Sequence, residues 1–130
     1  MYLVDTNIFL ELLLEQDKAG DVRKFMKNTK TSDLYVTEFT IYSIGIALLR
    51  LKKFILFRRW IDDIINSDVR TVRLELMELQ SLINYTSKFG LDFDDAYQYA
   101  IAEKYNLKIV SFDSDFDRTA KRRKTPLEVL

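Results

Sequence analysis

The sequence predicts an α/β fold, a three-layer α/β/α sandwich around a parallel sheet of four to five strands. Three observations carry that expectation. Short runs at residues 2–4, 34–37, 69–74 and 107–112 are rich in strand-favouring residues. Between them lie longer stretches with helical spacing, the arrangement of βαβ units. Two of the runs, the first and the fourth, pass directly into an aspartate, Asp5 and Asp113.

The elements follow in order. Tyr2, Leu3 and Val4 make a buried strand that turns at Asp5, Thr6 and Asn7. Residues 8–15 carry Ile8, Phe9, Leu12 and Leu13 at helical spacing, and Val22, Phe25 and Met26 mark a second amphipathic helix. A polar loop over 29–33 leads to the second strand, and Thr37 to Thr40 open an apolar helix over 41–51. Lys52 and Lys53 interrupt it before a helix over 54–65, with Phe57, Trp60 and Ile61 on one side. The third strand follows, then a helix through Leu76, Leu79, Leu82 and Ile83 that ends before Gly90. Residues 94–105 are helical with Ala96, Tyr97, Tyr99 and Ala100 inward, and lead to the fourth strand. After Pro126, residues 127–130 are expected to add a short edge strand. The helices between the second and third strands carry more apolar surface than one small sheet needs, which suggests an interface.

At 130 residues, with 48% hydrophobic residues spread along the chain, residues 1–130 read as a single domain. No apolar run approaches the roughly 18 residues of a membrane span. The first residues lack a basic segment and a signal-peptide core, the pattern of a cytoplasmic protein. The chain has no Cys and no His. That excludes disulfides, thiol nucleophiles, Cys-based zinc sites and the usual general base. Hydrolytic chemistry would then fall to carboxylates, hydroxyls, Lys or Arg, and carboxylates acting alone are hard oxygen ligands suited to Mg²⁺ or Mn²⁺. Twenty basic and twenty acidic residues cancel, so net charge does not advertise a nucleic-acid partner. The distribution is uneven, however. Asp92, Asp94, Asp95, Asp113, Asp115 and Asp117 precede a run of Arg118, Lys121, Arg122, Arg123 and Lys124.

Asp5 and Asp113 each follow a buried strand, so in a parallel sheet both emerge on its carboxyl edge, where open α/β sheets bind ligands. Asp95 lies in the first turn of a helix that feeds the fourth strand, which starts near the same edge. Taken singly each aspartate fits a helix cap or turn. Three caps need not share one rim, and like charges gathered there call for a cation. Mg²⁺ held by a few carboxylates suits phosphodiester hydrolysis without any His.

Val4-Asp5-Thr6-Asn7, Asp95-Ala96 and Val110-Ser111-Phe112-Asp113-Ser114-Asp115-Phe116 together resemble the PIN-domain family. Within it the likeness runs to the VapC-type toxin ribonucleases of prokaryotic toxin–antitoxin pairs, and it covers essentially the whole chain. The resemblance implies a Mg²⁺- or Mn²⁺-dependent endoribonuclease acting on single-stranded RNA. Asp5, Asp95 and Asp113 fall on the family's acidic metal positions, and Thr6, Asn7 and Ser111 on polar positions that orient water or the carboxylates. It further implies a homodimer and a small antitoxin protein that covers the site. One departure stands out: the family's Glu after the second strand falls on Ser43 here. Glu38, at the end of that strand, is the candidate substitute ligand. Ser43 also supports a second reading, a PIN-fold protein- or RNA-binding module with weakened catalysis.

Other motifs carry less. Asp113-x-Asp115-x-Asp117 starts like a Ca²⁺ loop, but Arg118 replaces the required Gly and Lys124 the closing Glu. There is no Gly-rich phosphate loop, and Asp5 lacks the adjacent acid of a receiver domain. A flap-type DNA nuclease would need elements that so short a chain lacks. The Arg118–Lys124 cluster is a candidate grip for RNA phosphates, set against the common case of a solvated charge run.

Overall fold

A computed structural model describes residues 1–130. The four strands are β1 (Tyr2–Val4), β2 (Leu34–Thr37), β3 (Arg70–Val72) and β4 (Lys108–Val110). All pair in parallel in the order β3-β2-β1-β4. Seven α-helices surround them: α1 (Thr6–Leu13), α2 (Ala19–Asn28), α3 (Glu38–Arg50), α4 (Phe54–Ile65), α5 (Leu82–Phe89), α6 (Phe93–Tyr105) and α7 (Pro126–Val129). A 3-10 segment, Leu76–Ser81, precedes α5, and another, Ser114–Arg118, follows β4.

Alternation along each strand makes the three layers. Leu3, Tyr35 and Ile109 point to a core shared with α5 and α6, where Leu82, Tyr99 and Ile101 are buried. Val4, Leu34, Val36 and Val110 point to the opposite core, with Ile8 of α1, Phe25 of α2, Ile44 of α3 and Trp60 of α4. Each such fully buried side chain contributes about 1.5–3 kcal/mol relative to exposure. Gly45 lets α3 and α4 approach closely, for a Cβ there would sit 3.3 Å from the Phe57 ring. The outer row of these helices stays exposed, with Tyr42, Ile46, Phe54 and Ile55 all more than half accessible.

The third and fourth strands, Arg70–Val72 and Lys108–Val110, are shorter than the runs expected from the sequence. The expected edge strand over 127–130 is a correction: Pro126–Val129 is a helical turn. Thr125 caps it, Pro126 occupies its first turn, and the Thr125 N–H donates to Glu128 Oε1 at 3.0 Å. Ser/Thr-Pro-x-Glu is a helix-start signal, and it outweighs the strand preference of so short a segment. The outer edge of β4 is met instead by a single parallel bridge, Val110 to Lys124. No helix is long and apolar enough to cross a membrane.

Candidate metal centre

The junction of β1 and α1 places Asp5 at the carboxyl edge of the sheet, beside the end of β4. Register pairs Val4 with Val110, and the Asp5 N–H donates to the Val110 carbonyl at 3.0 Å. The carboxylate is buried and closely held. Its Oδ1 accepts from the Thr6 N–H at 2.8 Å and from Gln98 Nε2 at 3.0 Å. Its Oδ2 accepts from Ser111 Oγ at 2.7 Å and from Asn7 Nδ2 at 3.4 Å. Asp5 is thus the helix cap that its position suggested and also one wall of the hollow beside it. Burial pushes its pKa up, and the Gln98, Ser111 and Thr6 hydrogen bonds oppose that push.

That hollow, about 210 Å³, is lined by Asp5, Thr6, Asn7, Leu10, Phe39, Ser43, Asp94, Asp95, Gln98 and Asp113. It contains four carboxyl groups and no Lys or Arg. Asp95 is buried, and its N–H is capped by Asp92 Oδ1 at 3.1 Å. Burial, followed by the charges of Asp113, Asp92 and Asp5, raises its pKa to about 8. Asp94 is raised as well, by burial and then by Asp92. The Asp113 N–H donates to Ser111 Oγ at 2.9 Å, while its Oδ1 accepts from the Asp115 N–H at 2.9 Å. Carboxylate oxygens of Asp95, Asp113 and Asp115 lie within 4.8 Å of one another.

The donor set fits a hard divalent cation. Oxygen ligands converge in a hollow lined by no Lys or Arg, and burial together with the neighbouring carboxylates keeps Asp95 from ionising readily. Asp115 is less free than the others, since its Oδ1 also meets Arg118 Nη1 at 3.1 Å.

Of the residues singled out in the sequence, Asp5, Thr6, Asn7, Asp95 and Asp113 line the hollow. Ser111 lies beneath it, bonded to Asp5 and, at 3.2 Å, to Asn7 Nδ2. Thr6 Oγ1 meets Thr40 Oγ1 at 2.9 Å, and Asn7 Oδ1 accepts from the Phe112 N–H at 3.2 Å. Glu38 is not brought there. As the first residue of α3 it turns its carboxylate to the Tyr42 hydroxyl and towards Arg73, 3.9 Å away, in a neighbouring hollow. Ser43, one turn further along α3 than Phe39, does face the acids.

Gln98 escaped sequence reasoning, while Asp94 and Asp115 were noted beside Asp95 and Asp113 without being singled out as site residues. Gln98 links Asp5 to Thr37 and Thr40, Asp94 lines the hollow beside Asp95, and Asp115 joins the carboxylate cluster. The i, i+3 spacing of Asp95 and Gln98 was the available signal for the first. A larger hollow of about 480 Å³, near Tyr2, Asp33 and Val129 at the other end of the sheet, offers no comparable set of acids.

Fold and hollow together define a class: a parallel α/β protein with a carboxylate-rich candidate metal centre at the carboxyl edge of its sheet. A family model, the PIN domain, matches residues 2–122, and the chain belongs to the PIN-domain family. Solved structures share the fold at low identity. A toxin–antitoxin complex from Klebsiella pneumoniae is 16% identical, with 97% of this chain and 98% of that chain covered and a TM-score of 0.79. VapC20 of Mycobacterium tuberculosis, a toxin described as cleaving the sarcin-ricin loop, is 14% identical, with 97% and 100% covered and a TM-score of 0.83. FitAcB from Neisseria gonorrhoeae is 18% identical, with 98% and 99% covered and a TM-score of 0.74. No curated protein matches the chain by sequence.

Proposed function

We propose that the chain is a Mg²⁺- or Mn²⁺-dependent endoribonuclease that cleaves single-stranded RNA, the toxin of a toxin–antitoxin pair. The observation that carries this reading is the convergence of Asp95, Asp113 and Asp115 oxygens within 4.8 Å, beside a buried Asp5 and away from any cation but Arg118. Two structural relatives, one a toxin–antitoxin complex and the other a toxin that cleaves the sarcin-ricin loop, support it.

Asp5, Asp95 and Asp113 would hold the metal, with Asp94 and Asp115 within the same rim. A bound divalent cation supplies water activation and offsets charge on a phosphoryl oxygen. The protein's own part is positioning. Ser111 and Gln98 fix both Asp5 oxygens, Asn7 spans Ser111 and the Phe112 backbone, and Thr6 and Thr40 tie α1 to α3 at the rim. Asp95, with its raised pKa, holds a proton near neutral pH that cation binding would displace. The exposed apolar row on α3 and α4 supports a homodimer face or an antitoxin contact. Cleavage of an unstructured RNA should require Mg²⁺ or Mn²⁺ and vanish in Asp5→Asn. Cleavage that survives EDTA, or an Asp5→Asn protein as active as the parent, refutes the reading.

The second reading, a binding module with weakened catalysis, rests on Ser43, which faces the hollow where the resemblance puts a Glu. RNA binding without metal-dependent cleavage by the parent protein would favour it.

A further inference from the structure

The basic run after the acid site divides in two. Arg118 is committed: Nε and Nη2 donate to the Phe89 and Gly90 carbonyls at 3.0 Å each, and Nη1 pairs with Asp115. The remainder runs along the outer edge of β4. The Lys124 N–H donates to the Ile109 carbonyl at 2.7 Å, and its carbonyl accepts from the Ser111 N–H at 3.0 Å. With Lys108 of β4, this segment encloses a hollow of about 160 Å³. Five of its seven lining residues, Lys108, Lys121, Arg122, Arg123 and Lys124, are cationic and none is acidic. Only Arg123 meets a carboxylate, Asp117 at 3.4 Å. In a chain whose charges cancel, such local excess is a feature of placement and not of composition.

We propose that this basic hollow on the β4 edge binds the phosphodiester backbone of single-stranded RNA whose scissile group lies at the acidic hollow. The proposal rests on the nuclease reading above. Three relationships support it. Lys124 is bonded to Ser111, whose hydroxyl reaches Asp5, so the cations begin where the acid site ends. Lys108 lies three strand residues before Ser111, about 10 Å at ~3.3 Å per residue, a span within reach of one RNA segment. The acids themselves repel phosphates, so a polyanion on a neutral protein needs a separate grip. The display is preorganised. The Arg122 N–H donates to the buried Thr119 Oγ1 at 3.0 Å, and Arg123 Nη1 donates to the Ser111 carbonyl at 3.4 Å.

The test is salt-dependent binding of a labelled unstructured RNA oligonucleotide to the full chain in EDTA, read by fluorescence anisotropy. The variants are Lys121→Gln/Arg122→Gln/Lys124→Gln and, as a control of equal charge change, Lys24→Gln/Lys27→Gln/Lys30→Gln on and just after α2. The triple variant should bind about tenfold or more weakly, and its slope of log affinity against log salt should shrink by about 2, at ~0.7 per phosphate contact. The control should keep the parent's affinity. Parent-like affinity and slope in the triple variant, or an equal loss in the control, overturns the proposal. So does an unchanged RNA affinity with loss of binding to poly-glutamate, which would make the occupant an acidic protein segment. Mg²⁺-dependent cleavage is assayed separately. Loss of RNA binding in the triple variant of a protein that never cleaves leaves the hollow and removes the nuclease. Cleavage with unaltered triple-variant binding does the reverse.

Discussion

Gln98 donates from Nε2 to Asp5 Oδ1 at 3.0 Å, joining the middle of α6 to the end of β1. The same amide nitrogen meets Thr40 Oγ1 at 2.9 Å, and Oε1 accepts from Thr37 Oγ1 at 2.8 Å. One buried side chain therefore satisfies groups on three elements. Gln98→Leu would strand them and should lower stability by about 1–3 kcal/mol in urea unfolding. Because the Gln98 bond opposes the raised pKa of Asp5, its loss should raise that pKa further. The acid limb of any cleavage profile should then move to higher pH, and an unmoved limb would show that Gln98 does not act through Asp5.

The raised pKa of Asp95 fixes the sign of a pH effect. A carboxyl near 8 when folded and near 3.9 when unfolded favours the folded state most below pH 4. That contribution is lost as pH rises through about 8, and Asp5, also raised, acts in the same direction. Metal-free protein should therefore melt at progressively lower temperature between pH 5 and 8, with a flatter profile in Asp95→Asn. Mn²⁺ must displace the proton, so its stabilising effect should be larger at pH 8 than at pH 6. Thermal melts with and without Mn²⁺ check both.

Ser43 and Glu38 make opposite predictions. Ser43→Glu adds a carboxylate to the acidic hollow and should tighten Mn²⁺ binding by about tenfold, or ~1.4 kcal/mol. It should also destabilise the metal-free protein by like-charge repulsion. Glu38→Gln should leave Mn²⁺ affinity unchanged, because Tyr42 and Arg73 engage that carboxylate elsewhere. Calorimetric titration of both variants separates the roles, and weakened binding in Glu38→Gln would restore it as a ligand.

Gly90 ends α5 at φ 67°, and a Cβ there would lie 3.8 Å from Arg118 Nη2, in ordinary contact. The penalty for Gly90→Ala is thus the left-handed backbone alone, about 1–2 kcal/mol. Denaturant unfolding should show that loss with no change in Mn²⁺ affinity.

The parallel sheet, its two helical layers and the shared edge of Asp5, Asp95 and Asp113 were legible because each depends on local signals: an apolar run, then an acid, then helical spacing. What stayed hidden depends on side-chain direction. Glu38 is adjacent to the rim in sequence, yet the first turn of α3 aims it at Tyr42. Gln98 lies in a stretch of α6 buried without a break from Asp95 to Ala102, where periodicity marks no face. Asp115 was named only within its motif, because its approach to Asp95 depends on the tight turn capped by Asp113. The Thr125-Pro126 helix start was legible and was outweighed by the β-leaning residues after it.

β1 precedes the other three strands in the chain and sits inside the sheet, between β2 and β4. The Ser111–Asp5 hydrogen bond spans 106 positions of a 130-residue chain. During synthesis the opening strand therefore has one open flank until residues 108–110 have emerged, and the acids stay apart for the same interval. A nascent or truncated chain ending before β4 carries Asp5 and Asp95 without their partner. Assembly of the centre therefore waits on β4, the last of the four strands in chain order.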